Sequence, residues 1–258
     1  MGIVNLTDDS FSGDGLRDDS EAAIARGLRL IEEGADILDL GAESSRPGAS
    51  PVDSRREIDR LLPVLESLAA CGVPLSVDTT KPVVMREALA AGADMINDIH
   101  ALRDPDALPL LTQNHAGICL MHMRGTPQTM QQTPCYDDVV TEVAEFLAER
   151  IAAAEQAGIA RERICIDPGF GFGKTLTHNL QLLRRMDAFT RFGLPVMAGL
   201  SRKSMLGALT GRSAVDRLPA GIAAHLLAVL GGARILRVHD VAATRDALAI
   251  LEAVENIQ

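Results

Sequence analysis

Short apolar runs alternate with longer amphipathic stretches along all 258 residues of the chain. A short run that is apolar throughout is typical of a β-strand buried on both faces, and such strands occur in parallel sheets that helices cover. A strand and the amphipathic helix that follows it form one βα unit. We identify eight such units, and their predicted strands are residues 2–5, 36–40, 75–78, 94–98, 117–122, 163–167, 195–198 and 234–238.

Similar short sequence segments lead into several of these strands, which indicates a repeated unit. They read EGADILD at 33–39, AGADMIND at 91–98 and GARILRVH at 232–239. The glycine suits the end of a helix, and the apolar residues after it suit a barrel strand. We therefore predict an α/β fold of the (β/α)8 TIM barrel class, with residues 1–258 in a single domain. A doubly wound open sheet shows the same alternation, but no Gly-x-Gly-x-x-Gly lies between the first strand and the first helix.

The charge balance and the hydropathy pattern argue against several classes of function. A net charge of −10 disfavours a nucleic-acid surface, which requires clustered Lys and Arg. No stretch approaches the roughly 20 uninterrupted apolar residues that cross a bilayer, and the N-terminus does not have the pattern of a signal peptide. We therefore expect a cytoplasmic protein with no nucleic-acid or membrane partner. The four cysteines include no Cys-x-x-Cys pair and are predicted to be free thiols.

Polar side chains stand at the carboxyl ends of the predicted strands. In a barrel all of these ends meet at one mouth. Asp and Asn at such positions also cap the following helices, so a single one of them would not indicate a site. Eight polar groups in register, several of them directly behind apolar runs, predict a cavity that binds a polar ligand rich in N–H donors. These residues are Asn5, Asp39, Asp78, Asn97, His122, Asp167, Arg237 and His239.

Basic residues gather near the ends of the last two strands. Lys203 follows the seventh strand at the predicted start of a helix, where free N–H groups and the helix dipole favour anions. Arg202 is expected to add positive charge there, and Arg237 and His239 share one face of the eighth strand. A lone strand arginine usually pairs with a core carboxylate, but four basic groups at neighbouring strand ends favour a phosphate site. Arg46, in the small-residue loop after the second strand, suggests a further anion contact.

A glycine-rich run, DPGFGFGKT at 167–175, follows the sixth strand. A nucleotide-binding P-loop would need glycine where Pro168 stands, so we exclude that motif. The glycines allow close backbone approach and hold Phe170 and Phe172 beside the carboxylate of Asp167. We expect an aromatic ligand to stack there. The histidines lack zinc-site spacing and no Gly-x-Ser-x-Gly occurs, so neither a zinc site nor an acyl-enzyme mechanism is predicted.

Together these motifs resemble the dihydropteroate synthase family, and the resemblance extends over nearly the whole chain. The family usually has a short leading segment before the first strand, whereas this sequence begins almost directly at that strand. The segments that carry the resemblance are NLT at 5–7, DSFS at 9–12, ESSRPG at 43–48, SVDT at 76–79, IND at 96–98, LMHM at 120–123, DPGFGFGK at 167–174, SRKS at 201–204 and RVH at 237–239.

The resemblance implies a transferase of folate biosynthesis. Family members are (β/α)8 barrels that condense 6-hydroxymethyl-7,8-dihydropterin pyrophosphate with p-aminobenzoate, and they are targets of sulfonamides. The products are 7,8-dihydropteroate and pyrophosphate, formed by a dissociative, SN1-like route in which pyrophosphate leaves first. The resemblance also implies Mg²⁺ as cofactor and a homodimer formed through late helices. The apolar segment at 221–230 suits that interface, although a buried core helix would show the same composition.

The resemblance also assigns roles to the residues that match the family's motifs. Those expected to be catalytic are Asp78, Lys203, Arg237 and His239. The pterin ring is expected to contact Asp78, Asn97, Asp167 and Lys203, with Arg237 stacked over it. The pyrophosphate is expected to contact Asn5, Arg46, Arg237 and His239, with Mg²⁺ bound at Asn5. The p-aminobenzoate pocket is expected to include Phe11, Ser45, Pro47, Phe172, Lys203 and Ser204, and the substrate site also includes Met121 and Gly199.

Two other functions stay open at the level of sequence. A barrel that transfers a methyl group from methyltetrahydrofolate to a cobalt carrier would share the pterin pocket, but it would not explain the basic SRKS and RVH motifs. A non-catalytic pterin-binding paralogue is suggested by the first loop, where Asp8 replaces the family's usual proline. The presence of Asp78, Lys203 and Arg237 argues against that paralogue.

Overall fold

The structure, a computed structural model, describes residues 1–7 and 19–256. Eight strands alternate with helices through these residues, as the sequence pattern predicts. The strands are β1 (Gly2–Asn5), β2 (Leu38–Gly41), β3 (Leu75–Asp78), β4 (Met95–Asp98), β5 (Gly117–Met121), β6 (Ile164–Asp167), β7 (Met197–Ala198) and β8 (Ile235–Leu236). The α-helices are α1 (Ser20–Glu32), α2 (Ser54–Leu68), α3 (Pro82–Ala90), α4 (Ala107–Thr112), α5 (Val139–Gln156), α6 (Leu176–Arg184), α7 (Ser204–Thr210), α8 (Leu218–Leu230) and α9 (Val241–Glu255).

The strands pair in parallel and close into a barrel. β1 to β6 form one sheet in chain order, and β7 pairs with β8. Two parallel bridges join these parts, one between Ile166 and Val196 and the other between Gly2 and Val238. At the second bridge the N–H of Ile3 donates to the carbonyl oxygen of Val238 at 3.0 Å. The predicted (β/α)8 barrel is therefore confirmed.

Some predicted strands are longer than the observed ones. Only the last two residues of the predicted strand 195–198 belong to β7, because Pro195 has no N–H to donate to a neighbouring strand. In the predicted strand 163–167, the first residue instead ends a 3-10 turn, Arg161–Arg163. Beyond the end of β8, Val238 bridges to β1.

Aspartates cap the first turns of helices that pack on the outside of the barrel. Asp19 accepts a hydrogen bond from the N–H of Ala22 at the start of α1, and Asp53 accepts one from Arg55 at the start of α2. A carboxylate at this position satisfies a free N–H group and interacts favourably with the helix dipole. The apolar faces of the helices cover the strands, and the fully buried Leu38 of β2 lies in this core.

Helix α8 buries one face against the barrel and exposes the other. In α8, Ala224 and Ala228 are buried, whereas Leu227 and Leu230 are 56% and 62% exposed. The segment at 221–230 is therefore neither a fully internal helix nor a fully exposed one. Among the described residues, no helix combines the length and the apolar character needed to cross a membrane.

Shortening a buried strand residue tests this packing. We expect Leu38→Ala to lower the free energy of unfolding by about 3 kcal/mol, because it removes apolar contacts and leaves a cavity between β2 and its helices. Leu28→Ala is the matched control, since Leu28 is exposed on α1 and its loss should cost less than about 0.5 kcal/mol. Urea denaturation of both variants measures the difference, and equal destabilisation would contradict the assigned core.

Candidate active site

A cavity of about 530 Å³ opens at the carboxyl ends of the strands. Every residue that the family resemblance placed in the substrate site, and that the structure describes, lines this cavity. Asp39 and His122, which were predicted from the strand ends, are not among the lining residues, and Phe11 lies outside the described residues. The lining residues that the sequence predicted are Asn5, Ser45, Arg46, Pro47, Asp78, Asn97, Met121, Asp167, Phe172, Gly199, Lys203, Ser204, Arg237 and His239. The geometry thus brings these residues together, and their individual roles stay predictions.

Arg237, in the segment after β8, bridges two carboxylates that lie on β2 and at the end of β3. Its Nε donates to Asp39 at 2.6 Å, and its Nη2 donates to Asp78 at 2.9 Å. Asp39 is fully buried and also accepts hydrogen bonds from Ser76 Oγ at 2.6 Å and from the Asn97 amide at 3.3 Å. Because its oxygens have several donors, the buried charge of Asp39 is compensated.

Burial and the ion pair between Arg237 and Asp78 shift the pKa values of both side chains. Burial raises the pKa of Asp78 to about 7, although the positive charge of Arg237 acts in the opposite direction. Burial alone would lower the pKa of Arg237, but the attraction of Asp39 and Asp78 outweighs it and raises that pKa. Arg237 is therefore a permanent cation, and Asp78 is a carboxyl group that titrates near neutral pH.

The glycine-rich run after β6 turns tightly against the end of β5. Asp167 accepts a hydrogen bond from the N–H of Gly169 at 2.7 Å, and burial raises the pKa of Asp167. Gly169 has a φ of +71°, and a Cβ there would lie 1.9 Å from the carbonyl oxygen of His122. No side chain fits at that distance, so glycine is required for Asp167 and Phe172 to reach the cavity together.

Lys174 is a buried lysine that the sequence motifs did not mark as a site residue. Its Nζ donates to the carbonyl oxygens of Gly169 at 2.9 Å and Phe172 at 3.0 Å, and it lies 2.9 Å from Nδ1 of His122. Burial lowers the pKa of Lys174 well below its ordinary value, while Asp167 acts in the opposite direction. His122, predicted as a polar strand end, thus helps to fix the glycine-rich run from behind. The sequence signal that could have identified Lys174 is its position at the end of the glycine-rich run.

Lys203 approaches the cavity from the start of α7. Its Nζ lies 4.1 Å from the centroid of the Phe172 ring, which is the geometry of a cation–π contact. Burial lowers the pKa of Lys203 to about 8, with Asp167 opposing this shift and Arg237 reinforcing it. Lys203 and Asp167 therefore place opposite charges in the same part of the cavity.

Three further basic residues, Arg202, His239 and Arg217, line the cavity and have defined hydrogen-bond partners. Arg202 lines the cavity and donates to both carboxylate oxygens of Asp240, at 2.9 and 3.3 Å. The expectation that it adds positive charge to an anion site stays a prediction. Nδ1 of His239 lies 2.9 Å from Oγ of Ser201. Arg217 also lines the cavity and donates to the carbonyl oxygen of Arg202 at 3.0 Å. Nothing in the sequence around Arg217 distinguished it.

The predicted metal site is limited to Asn5 among the described residues. These residues contain no group of three or more His, Cys, Asp or Glu side chains that could hold a metal ion. Asn5 lies at the end of β1 and lines the cavity. Mg²⁺ keeps several waters and is usually held by one or two protein oxygens together with substrate phosphates. The donor set therefore fits an ion that binds with a diphosphate, and it does not fit an all-protein metal cage.

The fold and the cavity together define a β/α-barrel enzyme for a polar ligand with an anionic group. The family model described as pterin binding enzyme matches residues 1–239. The chain is 47% identical over 254 residues to dihydropteroate synthase of Escherichia coli strain K12, covering 98% of this chain and 90% of the relative. The chain belongs to the dihydropteroate synthase family. The expected family and enzyme class are therefore confirmed.

Solved structures of this family have the same fold. Dihydropteroate synthase of Xanthomonas albilineans with 4-aminobenzoic acid is 55% identical, with a TM-score of 0.93 over 100% of this chain and 93% of that chain. The Xanthomonas albilineans enzyme in complex with 7,8-dihydropteroate is 51% identical, with a TM-score of 0.88 and the same coverage of both chains.

The raised pKa of Asp78 predicts a specific dependence of stability on pH. The ordinary Asp pKa is 3.8 and the folded value is about 7, so the folded protein holds this proton more tightly than the unfolded chain. The contribution of Asp78 to the free energy of unfolding is therefore fully present below about pH 4 and is lost as the pH rises through about 7. Relative to Asp78→Asn, we expect the unfolding free energy of the wild-type protein to fall by up to about 1.4 kcal/mol per pH unit between pH 4 and 7.

Chemical denaturation at closely spaced pH values measures this difference. Asp246→Asn is the control, because Asp246 is exposed on α9 and its removal should leave the pH dependence of the wild-type protein unchanged. Parallel stability curves for the wild-type protein and Asp78→Asn would contradict the raised pKa.

Proposed function

We propose that this chain condenses 6-hydroxymethyl-7,8-dihydropterin pyrophosphate with p-aminobenzoate to give 7,8-dihydropteroate and pyrophosphate. The observation that carries the proposal is the convergence in one cavity of Asp78, Asn97 and Asp167 with Lys203 and Arg237. Family membership supports the reaction, and the related enzyme bound to 4-aminobenzoic acid or to 7,8-dihydropteroate supports the substrate and the product. Residues 1–258 are proposed to work as one barrel domain.

The pterin ring is proposed to lie deep in the barrel. A reduced pterin carries several N–H donors, and Asp78, Asp167 and the Asn97 side-chain oxygen offer acceptors at neighbouring strand ends. Arg237 is held by Asp39 and Asp78, so its planar guanidinium is available to stack on the ring without a large loss of conformational freedom. Charged acceptors in a buried site give strong hydrogen bonds. This set therefore favours a flat, donor-rich heterocycle.

The leaving group is proposed to bind at the rim of the cavity. Arg46 and His239 lie there with Arg237, and Asn5 supplies an amide oxygen at the end of β1. These residues would hold the diphosphate and orient it away from the pterin methylene carbon. When bound with the diphosphate at Asn5, Mg²⁺ would supply further positive charge to the departing anion.

The bond-breaking step is proposed to precede bond formation. The bond between the methylene carbon and the diphosphate oxygen breaks, and its electron pair leaves with the diphosphate. The carboxylate of Asp78 stabilises the cation that develops on the pterin, and Arg237 and His239 stabilise the departing anion. The arylamine nitrogen then bonds to the methylene carbon and loses one proton to water. No protein nucleophile takes part.

The arylamine is proposed to bind between the glycine-rich run and the loop after β2. Phe172 offers an aromatic face, and Lys203 lies 4.1 Å above that ring where it can pair with the carboxylate of p-aminobenzoate. Ser45, Pro47 and Ser204 complete this part of the cavity. A hydrophobic ring with a carboxylate at one end matches this combination.

Removal of the Asp78 carboxylate tests the proposed reaction. We expect Asp78→Asn to lower the rate of pyrophosphate release about a hundredfold or more, because a preorganised charge beside the developing cation is lost. Pyrophosphate release is measured with the dihydropterin pyrophosphate and Mg²⁺, with and without p-aminobenzoate. Asp246→Asn should retain the wild-type rate. Pterin binding by the wild-type protein without arylamine-dependent product would instead identify a non-catalytic paralogue.

We also propose that the chain forms a homodimer through α8 and α9 and acts in the cytoplasm. Leu227 and Leu230 of α8, together with Ile250 and Val254 of α9, are more than half exposed. Exposed apolar side chains on neighbouring helices are typical of an association surface. Light scattering should give twice the monomer mass of 27.5 kDa, and Leu227→Glu combined with Leu230→Glu should give the monomer. A monomeric wild-type protein would contradict the proposal.

A further inference from the structure

Lys81, in the loop between β3 and α3, forms a network of polar contacts. It directly precedes α3, and its Nζ donates to the carboxylates of Glu43 and Glu57 and, at 2.7 Å, to the carbonyl oxygen of Val52. An ammonium group has three N–H donors, and each of them has an acceptor here. Burial alone would lower the pKa of Lys81, but the hydrogen bonds to the two carboxylates outweigh it and raise that pKa. Lys81 is therefore a fixed cation.

The groups that Lys81 binds come from both ends of one loop and from the helix behind it. Glu43 begins the segment 43–52, which follows β2, and Val52 ends it. Glu43 Oε2 also accepts a hydrogen bond from the N–H of Val52 at 3.0 Å, so the two ends meet at a single charged centre. Glu57 belongs to α2 and its side chain is 1% exposed, so this centre is anchored in the protein core.

The same segment carries residues into the cavity. Ser45, Arg46 and Pro47 all line it, and they lie between the two ends that Lys81 joins. Farther along, the N–H of Gly48 donates to the carbonyl oxygen of Pro127 at 3.1 Å. The charge-assisted contacts at the base of the segment are half-buried, and loss of Lys81 would leave the buried carboxylate of Glu57 uncompensated. The base therefore controls where the middle of the segment lies.

We propose that Lys81 is a positioning residue that holds segment 43–52 in place for arylamine binding. Lys81 does not itself line the cavity, so its effect on a substrate has to pass through the segment. The inference rests on the proposed function, because it takes the arylamine as the ligand that Ser45 and Pro47 contact. The pterin ring, by contrast, is bound by residues on β3, β4 and β6, which Lys81 does not touch in the described structure.

The test uses a variant that removes the tether without leaving an unpaired charge in the core. Lys81→Met combined with Glu57→Met replaces the ion pair between the half-buried Lys81 and the buried Glu57 by apolar side chains, and such a replacement is often neutral for stability. We expect the KM for p-aminobenzoate to rise at least about tenfold, because charge-assisted hydrogen bonds are lost at the base of the segment. Affinity for a pterin that lacks the diphosphate should stay within about twofold of the wild-type value.

Two further variants separate positioning from general stability. Lys81→Arg keeps the positive charge and should recover part of the lost arylamine affinity. Arg55→Met removes an ion pair with Asp59 on the exposed face of the same helix and should leave both affinities unchanged. Hydrogen exchange should show faster exchange of the backbone amides of segment 43–52 in the double variant, and wild-type exchange in Arg55→Met.

The outcomes distinguish this inference from the proposed function. A folded double variant with wild-type KM for p-aminobenzoate and wild-type amide exchange would overturn the positioning role. An equal loss of pterin and arylamine affinity would also overturn it, since it would indicate a general effect on the barrel. If the wild-type protein formed no arylamine-dependent product, the proposed function would fail, and the exchange measurement would still test whether Lys81 holds the segment.

Discussion

The ion pairs of Arg237 with Asp39 and Asp78 connect one side of the barrel mouth to the other. Arg237 follows β8, whereas Asp39 lies on β2 and Asp78 ends β3. The pair between Arg237 and Asp39 joins residues that are 198 positions apart in the sequence. It can form only because the barrel closes between β8 and β1, so the electrostatics of the cavity depend on the fold. The half-buried cation of Arg237, placed between the two carboxylates, also explains why the fully buried charge of Asp39 is tolerated inside the barrel.

Two lysines that do not line the cavity hold neighbouring loops in place through several acceptors each. Lys174 holds the glycine-rich run through carbonyl oxygens, and Lys81 holds the loop after β2 through two carboxylates. In both cases a lysine with several acceptors fixes a loop that supplies cavity residues. Loops usually place functional groups less accurately than strands do, and such supporting contacts reduce that difference. The strand ends provide the deep part of the cavity, and the anchored loops provide its rim.

The strands and the cavity residues were largely predictable from the sequence. A buried parallel strand is a short apolar run, and polar residues at its carboxyl end have to meet at the mouth of a barrel. The partners of these residues were not predictable, since they depend on distances across the closed barrel. Asp39 was recognised as a polar strand end without its link to Arg237, and Arg202 was expected to add positive charge without its ion pair with Asp240 being foreseen. Lys81 and Arg217 act on backbone or buried groups that no local pattern reveals.

Asp39 acts on the site chiefly by holding Arg237, and a double-mutant cycle of these two residues measures how far their effects are coupled. Asp39→Asn keeps the shape of the side chain but removes its charge, and Asp39 does not belong to the cavity lining that the structure describes. The measured quantity is kcat/KM for pyrophosphate release in the wild-type protein, in Asp39→Asn, in Arg237→Met and in the double variant. We expect Asp39→Asn to have a much smaller effect once Arg237 is replaced, with a coupling free energy of about 2 kcal/mol, and the remaining effect to come from the hydrogen bond between Asp39 and Asn97. Fully additive effects would contradict this expectation, because Asp39 would then act independently of Arg237.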